Sequence, residues 1–501
     1  MSAAETIGVL GAGLMGSGIA QLAAQSGART LVHDPVPEAL AAGIEKIHKA
    51  LDRNVEKGRM TAEEAEAVKG RLEPAADMEA LADCTLVIEA APEKLALKLE
   101  IFERLTAVIA DDAVIATNTS SLSVTEIAAG VKQPERVVGM HFFNPPPLMK
   151  LLEVVSGTAS SDAALAVARA TGEAMGKHVI DAADVAGFLV NRVNRPFPLE
   201  SLKLLEERLG TVEQIDRILR MSAGFRMGAF ELMDLVGIDT NHAVAVIMQQ
   251  SSFGEPRYRP SHLAARKIAA GTIGRKSGSG WYEYPEGRPA DPEPPPAGGG
   301  DGRTVEIMGQ GPIASALASA AEAAGWTVSD DVEDAYLHVS CELGDVDGDH
   351  RLHLLTDASL HERDAEGAGF FVLAPLGTLA ELTQTVDSDP ETVERAEAFL
   401  GSLGLHVEHV GDAPGLVAGR VVCQLINEAA FLLGEGHGTP EDVDAGMTLG
   451  VAHPRGPVAW CNELGVQTVV DVLDALNLEL GEPRYRVAPL LRQRLATTLE
   501  L

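Results

Sequence analysis

The sequence predicts an α/β chain with all-helical parts, built twice over: a doubly wound sheet, a helical domain, a shortened second sheet unit and a second helical domain. Three observations carry this. A glycine-rich turn joins an apolar strand to a helix at the start; strand and helix patterns alternate until a helical period takes over at Gly187; and Gly-Glu-Pro-Arg-Tyr-Arg occurs twice, at Gly254–Arg259 and Gly481–Arg486.

Thr6–Leu10 reads as a buried strand, and Gly11-Ala12-Gly13-Leu14-Met15-Gly16 opens a helix over Ser17–Ser26. This is the strand, G-x-G-x-x-G, helix context of a Rossmann dinucleotide site. Gly11 allows the tight turn, Gly13 lets the backbone approach a pyrophosphate, and Gly16 allows close helix packing. Leu14 and Met15 lie in the first turn, whose N–H groups face the anion. A strand over Thr30–His33 ends in Asp34, 18 residues after Gly16. A carboxylate there accepts from ribose hydroxyls and repels a 2′-phosphate, so the expected cofactor is NAD rather than NADP.

Pro37–Leu72 reads as helical, with Ile44, Ile47, His48 and Leu51 on one face and Lys46, Lys49, Arg53 and Lys57 among the polar positions. Those cations are either a solvated face or a contact for an anionic ligand. Strands follow at Thr85–Ile88 and Val114–Ala116, separated by a helix to about Ala110. The second ends in Asn118-Thr119-Ser120-Ser121-Leu122, whose donors suit a substrate carbonyl; capping of the next helix by Ser120 or Ser121 fits equally. The alternation implies a parallel sheet covered on both faces.

Val137–Met140 reads as a later strand of that sheet, delivering His141 at its carboxyl end, where open α/β sheets place ligands. Phe142 and Phe143 supply apolar walls, Pro145–Pro147 stiffen a turn, and a second apolar run carries Glu153. An imidazole oriented by a carboxylate is a general base near neutral pH. Spacing alone also fits a core histidine beside a surface acid. A helix over Asp162–Met175 and a strand over Lys177–Asp181 complete the unit.

From Gly187 the run Phe188-Leu189-Val190-Asn191-Arg192-Val193 opens the helical domain. Asn191, in an apolar helix, needs a partner: the neighbouring domain, or substrate or cofactor. Thr272–Gly278 is a basic loop containing Lys276, Trp281–Tyr284 is strand-like, and 285–302 is a Pro/Gly linker. The expected divisions are 1–184 NAD-binding, 185–284 helical, 285–302 linker, 303–410 degenerate sheet unit and 411–501 second helical domain.

With 40 basic against 73 acidic side chains, the 501-residue chain carries a formal charge of −33. That disfavours nucleic acid and anionic membranes as partners, and any polyanionic ligand must find a locally basic site. Cys84, Cys341, Cys423 and Cys461 lack metal-type or paired spacing, so no metal is expected. Neither a basic, apolar leader nor a membrane-length apolar run is visible; the expectation is a cytoplasmic protein.

Taken together, Gly11–Gly16, Asn118–Leu122, His141-Phe142-Phe143-Asn144-Pro145, Leu152-Glu153-Val154 and Gly187–Arg192 make residues 5–284 resemble the L-3-hydroxyacyl-CoA dehydrogenase family over its two-domain core. The resemblance implies NAD-dependent oxidation of an L-3-hydroxyacyl-CoA to a 3-oxoacyl-CoA. It makes His141 the catalytic base, Glu153 its orienting acid, and Ser120 and Asn191 active-site residues that also contact substrate. Asp34, Glu93, Lys98, Ser120, Asn144 and Lys276 fall at cofactor positions, and Lys57 at a coenzyme A position. The chain departs from the family pattern at Ala91-Pro92-Glu93, and its basic complement near Lys57 is thinner than in some members. The acyl end is left open, 3-hydroxyadipyl-CoA being one candidate by resemblance. Two alternatives stand beside this reading: a dehydrogenase of a free hydroxy or sugar acid using the same His–Glu pair, and a non-catalytic nucleotide-binding scaffold.

The last third repeats the first two domains. Thr304–Ala314 echoes Thr6–Gly16, and Gly415–Val421 echoes Gly187–Val193. Gly187 to Gly254 is 67 residues and Gly415 to Gly481 is 66, but Gly11 to Gly187 is 176 and Gly309 to Gly415 only 106. Gly419 stands at the place of Asn191, Ala358 is expected at that of Ser120, Glu381 at that of Glu153, and no histidine lies near Gly369-Phe370-Phe371. Asp301–His350 holds 11 acids against one base, Arg303, which disfavours a phosphate ligand. The second copy is expected to be inactive. Its helical half is expected to pack on the first as the subunits of shorter relatives do, either within a homodimer or as a monomer that replaces a partner subunit.

Overall fold

The computed structural model of the chain describes residues 2–329, 332, 334–342, 348–497 and 501. Of the acidic run Asp301–His350, residues 330, 331, 333 and 343–347 lie outside that set. Two compact units form: Met1–Asn191 with Leu449–Val451, and Arg192–Thr448 with Ala452–Leu501.

The first unit is a sheet of eight strands: β1 (Thr6–Leu10), β2 (Arg29–His33), β3 (Leu72–Ala75), β4 (Leu86–Glu89), β5 (Val114–Thr117), β6 (Val137–Phe142), β7 (Leu151–Ser156) and β8 (His178–Ala183). They lie in the order β3-β2-β1-β4-β5-β6-β7-β8. Ile7, Val9, Val32, Ile88 and Met140 pack with Ile19, Ala23 and Ala168 of the covering helices in one core.

The sequence reading needs two corrections here. Pro37–Leu72 is not one helix but two, Pro37–Glu56 and Ala62–Lys69, followed by β3. The second helix starts at a capping box, where the Thr61 hydroxyl accepts from the Glu64 N–H (3.1 Å) and the Glu64 carboxylate accepts from the Thr61 N–H (2.7 Å). Nor is the sheet wholly parallel, because β6 and β7 run antiparallel. Their connection, 143–150, is shorter than the roughly dozen residues a parallel crossover requires.

The second unit has a seven-stranded sheet of β9 (Thr304–Met308), β10 (Thr327–Ser329), β11 (His338–Ser340), β12 (Arg351–Leu354), β13 (Ala368–Phe371), β14 (Leu379–Thr383) and β15 (His406–His409). The order β10-β9-β11-β12-β13-β14-β15, with β13 and β14 antiparallel, repeats that of the first sheet without β3. Among the described residues, the second sheet has no counterparts of the helices Pro37–Glu56, Ala62–Lys69 and Leu95–Thr106.

Two helical repeats fill the rest of this unit and grip one another reciprocally. Arg192 Nε donates to Glu428 (2.8 Å), and Arg420 Nη2 donates to Glu200 (2.6 Å). The tyrosines of the duplicated Gly-Glu-Pro-Arg-Tyr-Arg close the same pairs crosswise, Tyr258 on Glu428 (2.7 Å) and Tyr485 on Glu200 (3.0 Å). Such self-complementary pairing has the form of a two-fold dimer interface, here within one chain. Trp281–Tyr284 forms no strand. The Trp281 and Tyr282 N–H groups instead donate to the Asp234 carboxylate, both at 2.9 Å, and the stretch keeps one isolated antiparallel bridge, Glu283 to Ser279. The 285–302 linker is tied down, with Arg220 holding Asp291 through Nε (2.9 Å) and Nη2 (2.5 Å).

Candidate active site

The glycine turn is built as its sequence requires. Gly11 has φ +97° and donates its N–H to the His33 carbonyl (2.8 Å). A Cβ on Gly16 would lie 1.7 Å from the Gly11 carbonyl oxygen, whereas one on Gly13 meets nothing within 4 Å, leaving the open side a pyrophosphate needs. Asp34 accepts from the Ala12 N–H (2.9 Å) and the Val36 N–H (3.0 Å), which fixes its carboxylate beside the turn. Gly11, Gly13 and Asp34 line a cleft of about 710 Å³ with Leu14, Met15, Ile101 and Arg104. The open glycine cradle and the fixed acid fit a dinucleotide with a free 2′-hydroxyl.

His141 on β6 and Glu153 on β7 are direct register partners, brought face to face by the antiparallel turn. His141 Nδ1 lies 2.5 Å from Glu153 Oε2. Glu153 Oε1 accepts from the Leu189 (3.1 Å) and Val190 (2.9 Å) N–H groups at the start of the helix carrying Asn191. Gly187 (φ +79°) and Phe188 (φ +49°) make the bend that aims those N–H groups. Glu153 is fully buried, and three donors satisfy it. His141 is 5% exposed, with the rings of Phe143 and Phe188 centred 4.7 Å and 5.8 Å away. A neutral imidazole that donates through Nδ1 presents Nε2 as a lone-pair base.

Ser120 is held by its backbone. Glu93 Oε1 accepts from the Ser120 N–H (2.9 Å), the Ser121 N–H (3.1 Å) and the Thr119 hydroxyl (2.6 Å). Although burial opposes ionisation, the Lys98 charge and these donors hold the Glu93 carboxyl below its usual range. Asn191 Nδ2 reaches the Ser120 carbonyl at 3.4 Å, and Asn118 Oδ1 accepts from the Phe142 N–H (2.9 Å), tying this loop to the residue after His141. The helix after the loop is capped by Ser123, not by Ser120 or Ser121. Lys98 is 1% exposed and donates to both oxygens of buried Glu89 (2.7 and 2.9 Å), so it braces the turn that carries Glu93. Sequence reasoning missed the bracing by Glu89 and Asn118, whose partners are distant in the chain. Asn144 is exposed at the proline turn. Lys276, in the second unit, pairs with Asp239 (2.6 Å).

Lys57 lines a pocket of about 320 Å³ with Lys46, Arg53, Arg59, Pro146 and Leu148. Lys49, by contrast, pairs in solvent with Glu45 (2.6 Å). In a chain of charge −33, four gathered cations form the locally basic site that a polyanion requires.

The equivalent place in the second sheet has lost this chemistry. Phe371 is the register partner of Glu381, where His141 faces Glu153. Glu381 still accepts from two helix-start N–H groups, Val417 (2.7 Å) and Ala418 (2.9 Å), and burial pushes its carboxyl up to about 8. A Cβ on Gly419 would lie 2.6 Å from the Phe371 ring, so the phenyl group excludes any side chain at the Asn191 position. The expected pairing of Ala358 with Ser120 does not hold. Ser359 holds the N-cap position of its helix without a side-chain bond, and the Leu360 and His361 N–H groups bind Asp412, just as the Val124 and Thr125 N–H groups after Ser123 bind Asp184. Counting back from those caps puts Thr356 opposite Ser120.

The family model for the 3-hydroxyacyl-CoA dehydrogenase NAD binding domain matches residues 6–185, and that for the C-terminal domain matches 187–284 and 415–498. The chain is 36% identical over 490 residues to a 3-hydroxyadipyl-CoA dehydrogenase of Escherichia coli, covering 98% of this chain and 97% of that one. A 3-hydroxybutyryl-CoA dehydrogenase of Mycobacterium tuberculosis is 40% identical over 284 residues, 56% of this chain and 99% of its own. Among solved structures, a 3-hydroxybutyryl-CoA dehydrogenase from Escherichia coli K12 superposes with TM-score 0.85 at 34% identity, covering 99% and 98% of the two chains. Among the described residues no helix is long and apolar enough to cross a membrane.

Proposed function

The chain belongs to the 3-hydroxyacyl-CoA dehydrogenase family, and from that premise we propose that it oxidises an L-3-hydroxyacyl-CoA to the 3-oxoacyl-CoA, with His141 as the base. The buried His141–Glu153 contact of 2.5 Å is the observation that carries this assignment. NAD, held by Gly11–Gly16 and Asp34, supplies the hydride acceptor. His141 Nε2 takes the proton of the 3-hydroxyl as hydride leaves C3, and Glu153 stabilises the imidazolium that results. In the reverse direction the same imidazolium returns the proton. Ser120 and Asn191 hold the polar groups at the reacting carbon, while Phe143 and Phe188 keep water from His141. Lys46, Arg53, Lys57 and Arg59 bind the phosphates of coenzyme A.

Relatives matched over nearly the whole chain bear two substrate names, 3-hydroxyadipyl-CoA and 3-hydroxybutyryl-CoA. Their common part, a 3-hydroxyacyl thioester, is the substrate class assigned here. The crosswise Arg192–Glu428 and Arg420–Glu200 pairs support the second helical repeat as an internal replacement for a partner subunit. A cytoplasmic setting agrees with four free cysteines, three of them buried. Formation of NADH from L-3-hydroxybutyryl-CoA, with free 3-hydroxybutyrate as control, tests the proposal. Turnover confined to the thioester is expected, and equal turnover of the free acid would remove the coenzyme A assignment.

A further inference from the structure

A glycine from the far end of the chain comes up to the neighbours of the His141–Glu153 pair. Leu449–Val451 belong by sequence to the second helical repeat, yet they form part of the compact unit that holds His141 and Glu153. The approach is made by backbone: a Cβ on Gly450 would stand 2.7 Å from Leu151 Cδ2, 3.4 Å from Val190 Cγ1 and 3.5 Å from Phe143 Cε1. Each of these neighbours is tied to the pair. Phe143 lays its ring 4.7 Å from that of His141, Val190 donates its N–H to Glu153, and Leu151 precedes Glu153 by two residues on β7. Leu151 is fully buried, so it has no solvent-side space into which to yield.

We propose that Gly450 is a positioning residue for proton transfer at His141, and that the second copy is kept because its helical repeat supplies this part of the site. The proposal rests on the dehydrogenase reading above. Ser222 stands at the corresponding place in the first repeat. It lies against the second sheet unit, where the Thr378 N–H donates to the Met221 carbonyl (2.8 Å) and a Cβ on Gly377 would fall 2.4 Å from the Ser222 carbonyl oxygen. Each repeat thus lays the same loop on one sheet, and a single one of those sheets carries the histidine. The inactive copy is thereby a working part of the active one.

The test uses the full chain, with Gly450→Ala, Gly450→Val and the matched Ser222→Val. Leu151 and Phe143 are pressed harder as the side chain grows, so kcat falls in that order, by about threefold with alanine and at least about tenfold with valine. NADH affinity, read by its fluorescence, stays at the wild-type value, because the glycine turn and Asp34 do not touch Gly450. Ser222→Val keeps kcat within about twofold of wild type, since its neighbours serve no reaction. Wild-type kcat in Gly450→Val, or an equal loss in Ser222→Val, overturns the proposal. If the valine variant does not fold, Gly450→Ala decides: lowered kcat with unchanged NADH affinity supports the positioning role, and unchanged kcat contradicts it. An inactive wild-type chain sinks the dehydrogenase reading, whereas an active chain indifferent to Gly450 sinks this proposal alone.

Discussion

Glu153 and Glu381 occupy the same place in two sheets of the same topology, and each accepts from the first N–H groups of the helix that follows. Across the ladder Glu153 meets His141, and Glu381 meets Phe371. The carboxylate therefore makes two separable contacts, with a helix start and with an imidazole, and the second copy has kept only the first. Its losses are also coupled. Once phenylalanine replaces histidine, its ring fills the space over Gly419, so an asparagine cannot return there alone. Among the described residues, no helix joins β10 to β11 in the place of Pro37–Glu56, the helix that carries Lys46 and Arg53.

The same substitution made in the two copies separates these contacts. Glu153→Gln is expected to lower kcat at least about 10²-fold by removing the charge that stabilises imidazolium, with NAD binding kept. Glu381→Gln should leave kcat unchanged and alter only stability. The Glu381 carboxyl titrates near 8 when folded against an ordinary value of 4.5, so the folded state holds the proton through that window. Wild-type stability then declines as pH rises from about 4.5 to 8. The glutamine amide nitrogen cannot accept one of the two N–H groups and the amide does not titrate, so the variant should melt lower than wild type at pH 5, the gap narrowing toward pH 8; a gap independent of pH would contradict the titration.

A smaller effect is expected at the basic pocket. Lys57→Ala should raise KM for the thioester roughly tenfold, about 1.4 kcal/mol, with little change in kcat and a weaker dependence on salt. An unchanged KM would remove the pocket from coenzyme A binding. The smallest effect concerns stability alone. Arg195 is 3% exposed, with Nε and Nη1 unbonded, and burial lowers its pKa to about 10, while Cys423 fills the matching place in the second repeat. Arg195→Met relieves a buried charge that has no ion-pair partner among the described residues, and is expected to raise the melting temperature by about 2 °C. A drop of similar size would mean that the guanidinium stabilises the fold.

Much of this comparison is legible in the sequence because its signals are local or repeated. Gly11–Gly16 with Asp34 pointed to the nucleotide turn, and the resemblance carried by the His141, Glu153 and Asn191 motifs pointed to the candidate site. The duplicated Gly-Glu-Pro-Arg-Tyr-Arg gave the second copy. Other features depend on partners far away in the chain. That motif marked a repeat, but nothing local shows that Tyr258 closes on Glu428 and Tyr485 on Glu200. Ala358-Ser359-Leu360 imitates Ser120-Ser121-Leu122, and only the caps on Asp184 and Asp412 reveal the true alignment with Thr356. The antiparallel β6–β7 turn was readable in principle, since 143–150 is too short for a crossover, and it is this turn that brings His141 onto Glu153.

The central claim, that one chain carries one working centre and that His141 is its base, is tested most directly by His141→Gln. NADH formation from L-3-hydroxybutyryl-CoA and the calorimetric NAD stoichiometry are read together on the same variant. The expected result is a fall in kcat of roughly 10²–10⁴-fold with one NAD still bound per chain. Turnover near the wild-type rate, or two NAD bound per chain, would contradict the account.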